Sequence, residues 1–263
     1  MDGKPETVKA YAEWLKTTRN ISVSERYEAY YESVALRVKT DFEKSDFWVQ
    51  LLENLENYDQ EYQVKQGYPL FTSKFSPEVL TKSFESFFLK TFRKNVLENV
   101  VWPNEPNGGW FLPANWLSRI NDVVRTLFVV KYLDGVKFLR SKIESICKEK
   151  SMPCETHLEA REEGYYAVHL YVRQSFEVPK IDWDTESVVF LVEIQITTQL
   201  QEVIRKLLHK YFEQRRKAIA KSEEKWQWNY RSQEFSANYL GHILHYVEGM
   251  IMDIREKQKE QLT

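Results

Sequence analysis

Near Ile120 the apolar residues of this chain change their spacing, and that change limits the folds open to it. Before it, residues 5–66 contain no glycine and are rich in Glu, Lys, Tyr and Leu, with polar breaks around 20–22 and 45–46, which predicts successive helices. Residues 77–97 predict another helix, with Ser76 as N-cap and Pro77 in its first turn. Trp102 to Trp110, with Pro113 beyond, is a Pro/Gly/Asn loop long enough to suggest a functional or mobile segment. After Ile120 come a β-branched strand at 123–132 and a helix capped by Asp134 with Val136, Leu139, Ile143 and Ile146 on one face. Strands at 156–160 and 165–172 flank the Glu162-Glu163-Gly164 turn, and 187–196 is a further strand. Two helical stripes close the chain, one through Leu200, Val203, Ile204, Leu207, Leu208 and Tyr211 and one from Leu240 to Ile254.

That order predicts an α/β (α+β) fold, a mixed β-sheet flanked by helices, with a helical N-terminal extension over 1–66, a core over 67–221 and a C-terminal helical segment over 222–263. A net charge of −2 argues against a global basic field for nucleic acid. Two cysteines, Cys147 and Cys154, are too few for a disulfide framework and suit a reducing cytosol. No stretch approaches the roughly 18 apolar residues of a membrane span, so a cytoplasmic protein without a membrane partner is expected.

Four short stretches carry candidate chemistry. Lys82, Ser86 and Lys90 recur every four residues, with Arg93 a turn on, so a helix would set two cations and a hydroxyl on one face, as a polyphosphate requires. Asn121-Asp122 sits at the mouth of a strand. Gly164-Tyr165-Tyr166-Ala167-Val168-His169 offers a flat ring beside a glycine. Glu193-x-Gln195 ends a strand, ahead of His209 and Tyr211 on a helix. Two carboxylates from separate strands, Asp122 and Glu193, are the smallest protein set for a Mg²⁺ that keeps waters and takes phosphate oxygens. His242 and His245, three apart, lack a Cys, Asp or Glu partner and are expected to pack or hydrogen-bond.

Taken in order, these stretches resemble the synthetase domain of the RelA/SpoT family of alarmone synthetases, over roughly residues 79–211. The family pattern runs Arg-x-Lys-x-x-x-Ser-x-x-x-Lys, an Asp opening a strand, Gly-Tyr-x-x-x-His, Glu-x-Gln, then a helix with His and Tyr. Asn121 to Thr126, Trp228-Asn229-Tyr230 and Tyr239-Leu240-Gly241-His242 look most like its divergent, single-domain and toxin-like branch. The resemblance implies a nucleotidyltransferase-like sheet and Mg²⁺-dependent transfer of pyrophosphate from ATP to a ribose 3′-hydroxyl, releasing AMP. It implies that Lys82, Ser86 and Lys90, with Arg93 added, hold the ATP phosphates, and that Asp122 and Glu193 bind Mg²⁺. Glu193 would also take the hydroxyl proton, Tyr165 would stack on the acceptor base, and His169 and Gln195 would support that pocket.

The chain departs from the family pattern where Leu80, Leu127, Thr197 and Tyr166 replace arginines and Arg125 replaces a glycine; Arg93, Arg119 and Arg125 are candidates to replace the lost charge. The expected acceptor is GDP or GTP, giving (p)ppGpp. The toxin-like alternative modifies the 3′ end of tRNA, which the basic run Arg205, Lys206, Lys210, Arg215, Arg216, Lys217 and Lys221 would meet. A third reading is a degenerate nucleotide- or partner-binding module. The chain has no His-Asp dipeptide, so the hydrolase half of long family members is expected to be absent, leaving restraint to an antitoxin, a ligand or a homo-oligomer.

Overall fold

The computed structural model describes residues 3–72, 76–180, 184–217 and 225–261, without the side chains of 209–217. In chain order the elements are α1 (Val8–Arg19), α2 (Glu25–Glu43), α3 (Asp46–Gln66), β1 (Val79–Thr81), α4 (Phe84–Phe92), a π turn (Arg93–Leu97), α5 (Trp116–Arg119), β2 (Val124–Val130), α6 (Leu133–Glu149), β3 (Cys154–Ala160), β4 (Tyr166–Pro179), β5 (Thr185–Thr198), α7 (Gln199–Lys217), a 3₁₀ turn (Trp226–Trp228) and α8 (Gln233–Glu260). The strands form one mixed sheet in the order β1-β2-β5-β4-β3, flanked by helices. The chain crosses to the β3 edge through α6 and steps back, so β5 finishes between β2 and β4. Its second half is buried on both faces: Val192, Ile194 and Ile196 are fully covered, and so nearly are Glu193 and Thr197.

Contacts divide the chain into two compact units. The first comprises Met1–Ser45, Val79–Arg125 and Val172–Glu193. Thr7 caps α1 by accepting the Ala10 N–H, and α1 buries Tyr11 and Leu15. Tyr11 packs against Phe88 and Phe92 of α4 at 5.3 and 5.4 Å, and its hydroxyl accepts from Asn95 at 2.6 Å. The Trp102–Trp110 loop is pinned rather than structureless. Both its tryptophans pack on Trp14, at 5.0 and 5.1 Å, and Arg119 donates to the carbonyls of Gly109 and Trp110.

The expected helix over 77–97 is broken. Residues Val79–Thr81 form β1, and the Lys82 N–H donates to the Val123 carbonyl at 2.9 Å. The helix cap is Ser83, not Ser76: Ser83 is extended, at φ −60° and ψ 149°, and its Oγ accepts the Ser86 N–H. Pairing with the distant β2 overrides a local helical preference here. Lys82 therefore lies outside the helix that carries Ser86 and Lys90.

The second unit comprises Asp46–Glu78, Thr126–Tyr171 and Ile194–Thr263. Asp134 is not the N-cap of α6, since Tyr132 occupies that position without a side-chain bond. Asp134 instead joins three helices, accepting from the Tyr62 hydroxyl of α3 at 2.7 Å and from Arg255 of α8 at 3.1 Å. Burial, with the Asp134 hydrogen bond and charge behind it, pushes the Tyr62 phenol well above its ordinary range, so its hydroxyl remains a donor. Arg255 also lies over the rings of Tyr68 and Tyr132, at 4.5 and 4.2 Å. On α7 the expected stripe is only partly covered: Ile204 is buried while Val203 and Leu207 are exposed. The Tyr211 side chain lies outside the described residues. Among the described residues no helix is long and apolar enough to cross a membrane.

Two glycines of α8 should respond oppositely to a methyl group. A Cβ on Gly241 would fall 2.3 Å from the Gly164 carbonyl oxygen, whereas one on Gly249 would meet nothing within 4 Å. Gly241→Ala is expected to lower the unfolding free energy by about 2 kcal/mol. Gly249→Ala should raise it by about 0.5–1 kcal/mol. Denaturant titration of both variants decides this, and a Gly241→Ala protein as stable as wild type contradicts the close approach.

Candidate active site

Within the first unit, three of the expected phosphate and metal residues meet. Asp122, just ahead of β2, accepts from Lys82 Nζ on Oδ2 at 2.8 Å and from Lys90 Nζ on Oδ1 at 2.9 Å. The cluster is sheltered, with the Lys82 and Asp122 side chains 10% and 15% exposed and Lys90 28%. Burial would raise the Asp122 pKa, but the Lys90 and Lys82 charges override it and hold the carboxyl at about 2. Burial lowers Lys82 from its ordinary value, and Asp122 opposes that fall. Ser86 is exposed in the first turn of α4, its hydroxyl accepting from Ser83 at 3.0 Å. Arg93 makes a different pair, with Glu98 at 2.8 Å in the π turn.

Of the candidate replacement cations, Arg125 lies in the field of this cluster, acting electrostatically on both Lys82 and Tyr31. Arg119 is committed to the Gly109 and Trp110 carbonyls and to the face of Phe111, at 3.9 Å. Tyr31 of α2 donates its hydroxyl to the Lys82 carbonyl at 2.8 Å and packs on Phe87 at 4.2 Å. Burial, then the Asp122 charge, push its phenol far above the ordinary range, so it remains a donor. Glu193 belongs to the same unit, on β5 beside β2, and is 4% exposed. Asp122 and Glu193 supply hard oxygen donors, the class Mg²⁺ prefers, and Asp122 is ionised, so the residues present fit that ion. Among the described residues no group of three or more His, Cys, Asp or Glu is placed to hold a metal.

Tyr165, His169 and Gln195, the residues expected to bind the acceptor, lie in the second unit. The Tyr165 hydroxyl is 2.9 Å from His169 Nε2, and His169 Nδ1 is 3.4 Å from the Tyr171 hydroxyl, so the two contacts fix the imidazole edge-on to the ring. His169 is buried, Tyr165 is half-buried, and the Arg161 guanidinium lies 5.3 Å over the Tyr165 ring. Gln195, half-buried on β5, follows Glu193 by two residues and so shares its face of the strand. At the positions of two expected arginines stand residues with structural roles. Thr197 is buried and donates to the Tyr166 carbonyl at 3.2 Å, and the Tyr166 hydroxyl bonds His242 Nδ1 at 2.8 Å while its ring stacks on His245 at 3.7 Å.

His242 and His245 thus pack and hydrogen-bond; His242 Nε2 also meets the Glu162 carbonyl at 2.9 Å, fastening the turn that leads to Tyr165. Spacing could not reveal Tyr31 as a neighbour of these groups, since it arrives through tertiary packing, whereas Arg161 meets Tyr165 across a local turn. The Lys82-Asp122 separation in sequence carried no signal either. The side chains of His209, Lys210, Arg215, Arg216, Lys217 and Lys221 lie outside the described residues. Of the basic run, Arg205 is held by Glu202 through two bonds of 2.5 and 2.9 Å, and Lys206 pairs with the same carboxylate at 3.4 Å.

The depressed Asp122 carboxyl fixes a pH dependence. With its folded pKa at about 2 against an ordinary 3.8, its contribution to stability is full above the unfolded value and is lost as pH falls through the folded one. Wild type is therefore expected to lose about 2 kcal/mol more than Asp122→Asn between about pH 5 and pH 2. Urea midpoints across that range give the difference, and parallel acid profiles for the two proteins would contradict the lysine clamp.

No protein-family model and no curated protein sequence matches the chain. Solved structures do match. Small alarmone synthetase 1 from Bacillus subtilis aligns over 90% of this chain and 97% of its own, with TM-score 0.53 and 14% identity. The same synthetase bound to its product pppGpp aligns over 89% and 96%, with TM-score 0.52 and 15% identity. The sheet order, the central β5 and the helices before and after it are therefore those of an architecture that this chain shares: it has the small alarmone synthetase fold.

Proposed function

We propose that the chain is an ATP-dependent pyrophosphotransferase that moves the β,γ-diphosphate of ATP onto the ribose 3′-hydroxyl of a guanine nucleotide, GDP or GTP, and releases AMP. The observation that carries this reading is the half-buried Lys82–Asp122–Lys90 cluster, two cations paired with one ionised carboxylate at the head of a strand. The fold shared with a synthetase solved with pppGpp supports it. Phosphoryl-type transfer asks a protein for alignment and charge compensation more than for covalent chemistry. Lys82 and Lys90 leave Asp122 for the triphosphate oxygens as ATP enters, and Ser86 donates to the same oxygens. The Asp122 and Glu193 carboxylates would hold Mg²⁺, which would supply further neutralisation of phosphate charge.

Tyr165 stacks on the acceptor base, with His169 holding the ring and Gln195 beside it. The acceptor 3′-oxygen attacks the β-phosphorus, the bond from that phosphorus to the oxygen bridging to the α-phosphate breaks, and AMP departs with the bridging oxygen. Glu193 takes the hydroxyl proton.

Incubation with γ-³²P-ATP and Mg²⁺, offering GDP, GTP, adenine nucleotides and deacylated tRNA separately, should label GDP and GTP with release of AMP. Label on tRNA alone overturns the acceptor, and no label with no AMP overturns the enzyme in favour of a binding module. Glu193→Gln should abolish turnover while leaving the thermal midpoint near wild type; near-normal rates would remove Glu193 from the chemistry. Tyr165→Ala should raise the acceptor KM by the equivalent of about 1–3 kcal/mol of lost stacking, with the KM for ATP unmoved.

A further inference from the structure

In the second unit the two cysteines of the chain stand on either side of the turn from α6 into β3. That turn is a helix stop of defined shape. Ser151 takes the left-handed conformation, at φ 55°, its N–H donates to the Lys148 carbonyl at 3.1 Å, and the Met152 N–H donates to the Cys147 carbonyl at 2.8 Å. The reversal lays the start of β3 back along the last turns of α6. Glu144 and Cys147 lie three apart on one helix face, and Cys154 and Thr156 lie two apart on one strand face. The two rows meet rung by rung: the Thr156 hydroxyl donates to Glu144 Oε1 at 2.7 Å, and the Cys147 thiol donates to the Cys154 sulfur. Cys147 is 2% exposed, whereas Cys154 is half-buried and partly open to solvent.

We infer that Cys147 and Cys154 form a redox dithiol, which hydrogen peroxide converts reversibly into an internal disulfide. Position divides the roles between them. The hydrogen bond from Cys147 holds the Cys154 thiol below its ordinary range, against burial and the Glu144 and Glu155 charges, which makes Cys154 the better nucleophile. The same bond and burial push Cys147 far above that range, so it keeps its proton until the second step. The Cys154 thiolate attacks a peroxide oxygen and breaks the O–O bond. It is oxidised to a sulfenic acid, and the leaving hydroxide takes up the proton that Cys154 had released, becoming water. The Cys147 sulfur then attacks the Cys154 sulfur, gives up its own proton and expels the sulfenic oxygen as a second water. Two thiols have passed two electrons to one peroxide. An accessible, acidified thiol beside a resolving cysteine is the arrangement that thiol sensors use. The new bond anchors β3, an edge strand paired with β4 alone, to α6. β3 leads on to Arg161, whose N–H donates to the Tyr165 carbonyl at 3.0 Å.

The test treats the full chain with excess hydrogen peroxide, unfolds it in iodoacetamide, and reads the intact mass and the linked peptides. Wild type is expected to lose about 2 Da, one hydrogen from each thiol, and to take up no iodoacetamide. Its digest should yield one peptide pair joining Cys147 to Cys154, and dithiothreitol should restore both thiols. Cys147→Ala removes the resolving sulfur, so Cys154 should accumulate as a sulfenic acid that dimedone traps. Cys154→Ala should leave Cys147 fully alkylatable. Wild type that keeps both thiols, or that links two chains in place of closing on itself, overturns the dithiol. Equal dimedone labelling of wild type and Cys147→Ala does so too, because Cys147 then resolves nothing, and oxidation of Cys147 in Cys154→Ala overturns the order of the two steps. The wild-type readings decide the inference even where a variant folds poorly. Amide exchange over Cys154–Ala160 should slow on oxidation, and an unchanged rate overturns the anchoring of β3.

Discussion

One carboxylate, Asp122, sits between two lysines that reach it from different elements, and much of the first unit serves that meeting. Lys82 comes from the end of β1, positioned because its own N–H and carbonyl are bonded to Val123 and to Tyr31. Lys90 comes from α4, whose start is fixed by the Ser83 cap and whose apolar side, Phe84, Phe87 and Phe88, is buried. Sheltered from water, two cations would repel each other and suffer desolvation. The shared anion offsets both costs, and in doing so holds the ammonium groups at the spacing of adjacent carboxylate oxygens. A ligand rich in anionic oxygens is the natural competitor for such a clamp, since it can satisfy the lysines and free the carboxylate for a cation.

The second unit solves a different problem, holding a turn still. Gly164 and Gly241 approach backbone to backbone, and His242 ties the Glu162 carbonyl and the Tyr166 hydroxyl to α8. Tyr165 therefore stands on a turn whose neighbours on both sides are fixed, with His169 bonded to its hydroxyl. The positions where the related pattern places arginines, Tyr166 and Thr197, are spent on these structural bonds. Charge beside Tyr165 comes instead from Arg161, which lies over the Tyr165 ring.

Much of the fold was legible before any coordinates. The strand at 187–196 falls within β5, the helix through Val136 to Ile146 within α6, and the two closing helices are α7 and α8. Those elements declare themselves because their apolar residues repeat at the period of the structure they form. The stretch at 77–97 misled for the same reason: Phe84 to Phe92 is helical, and the helical signal spread backward over Val79–Thr81, whose conformation is set by pairing with a distant strand. Asp134 misled as well, because a carboxylate near a helix start serves equally as a cap or, with Tyr62 and Arg255 at hand, as an anchor for other helices.

By itself the sequence determined the order of helices and strands and the chemical types available, lysines and a serine, two carboxylates, a tyrosine after a glycine. Periodicity and residue chemistry are local properties, and they survive without knowledge of what lies nearby in space. Tertiary structure alone decided that Lys82 leaves the helix and still meets Lys90 on Asp122, and that Tyr31 joins that cluster from 51 residues upstream. Those facts come from closing the chain on itself, where burial and charge select partners with no regard to their distance in sequence.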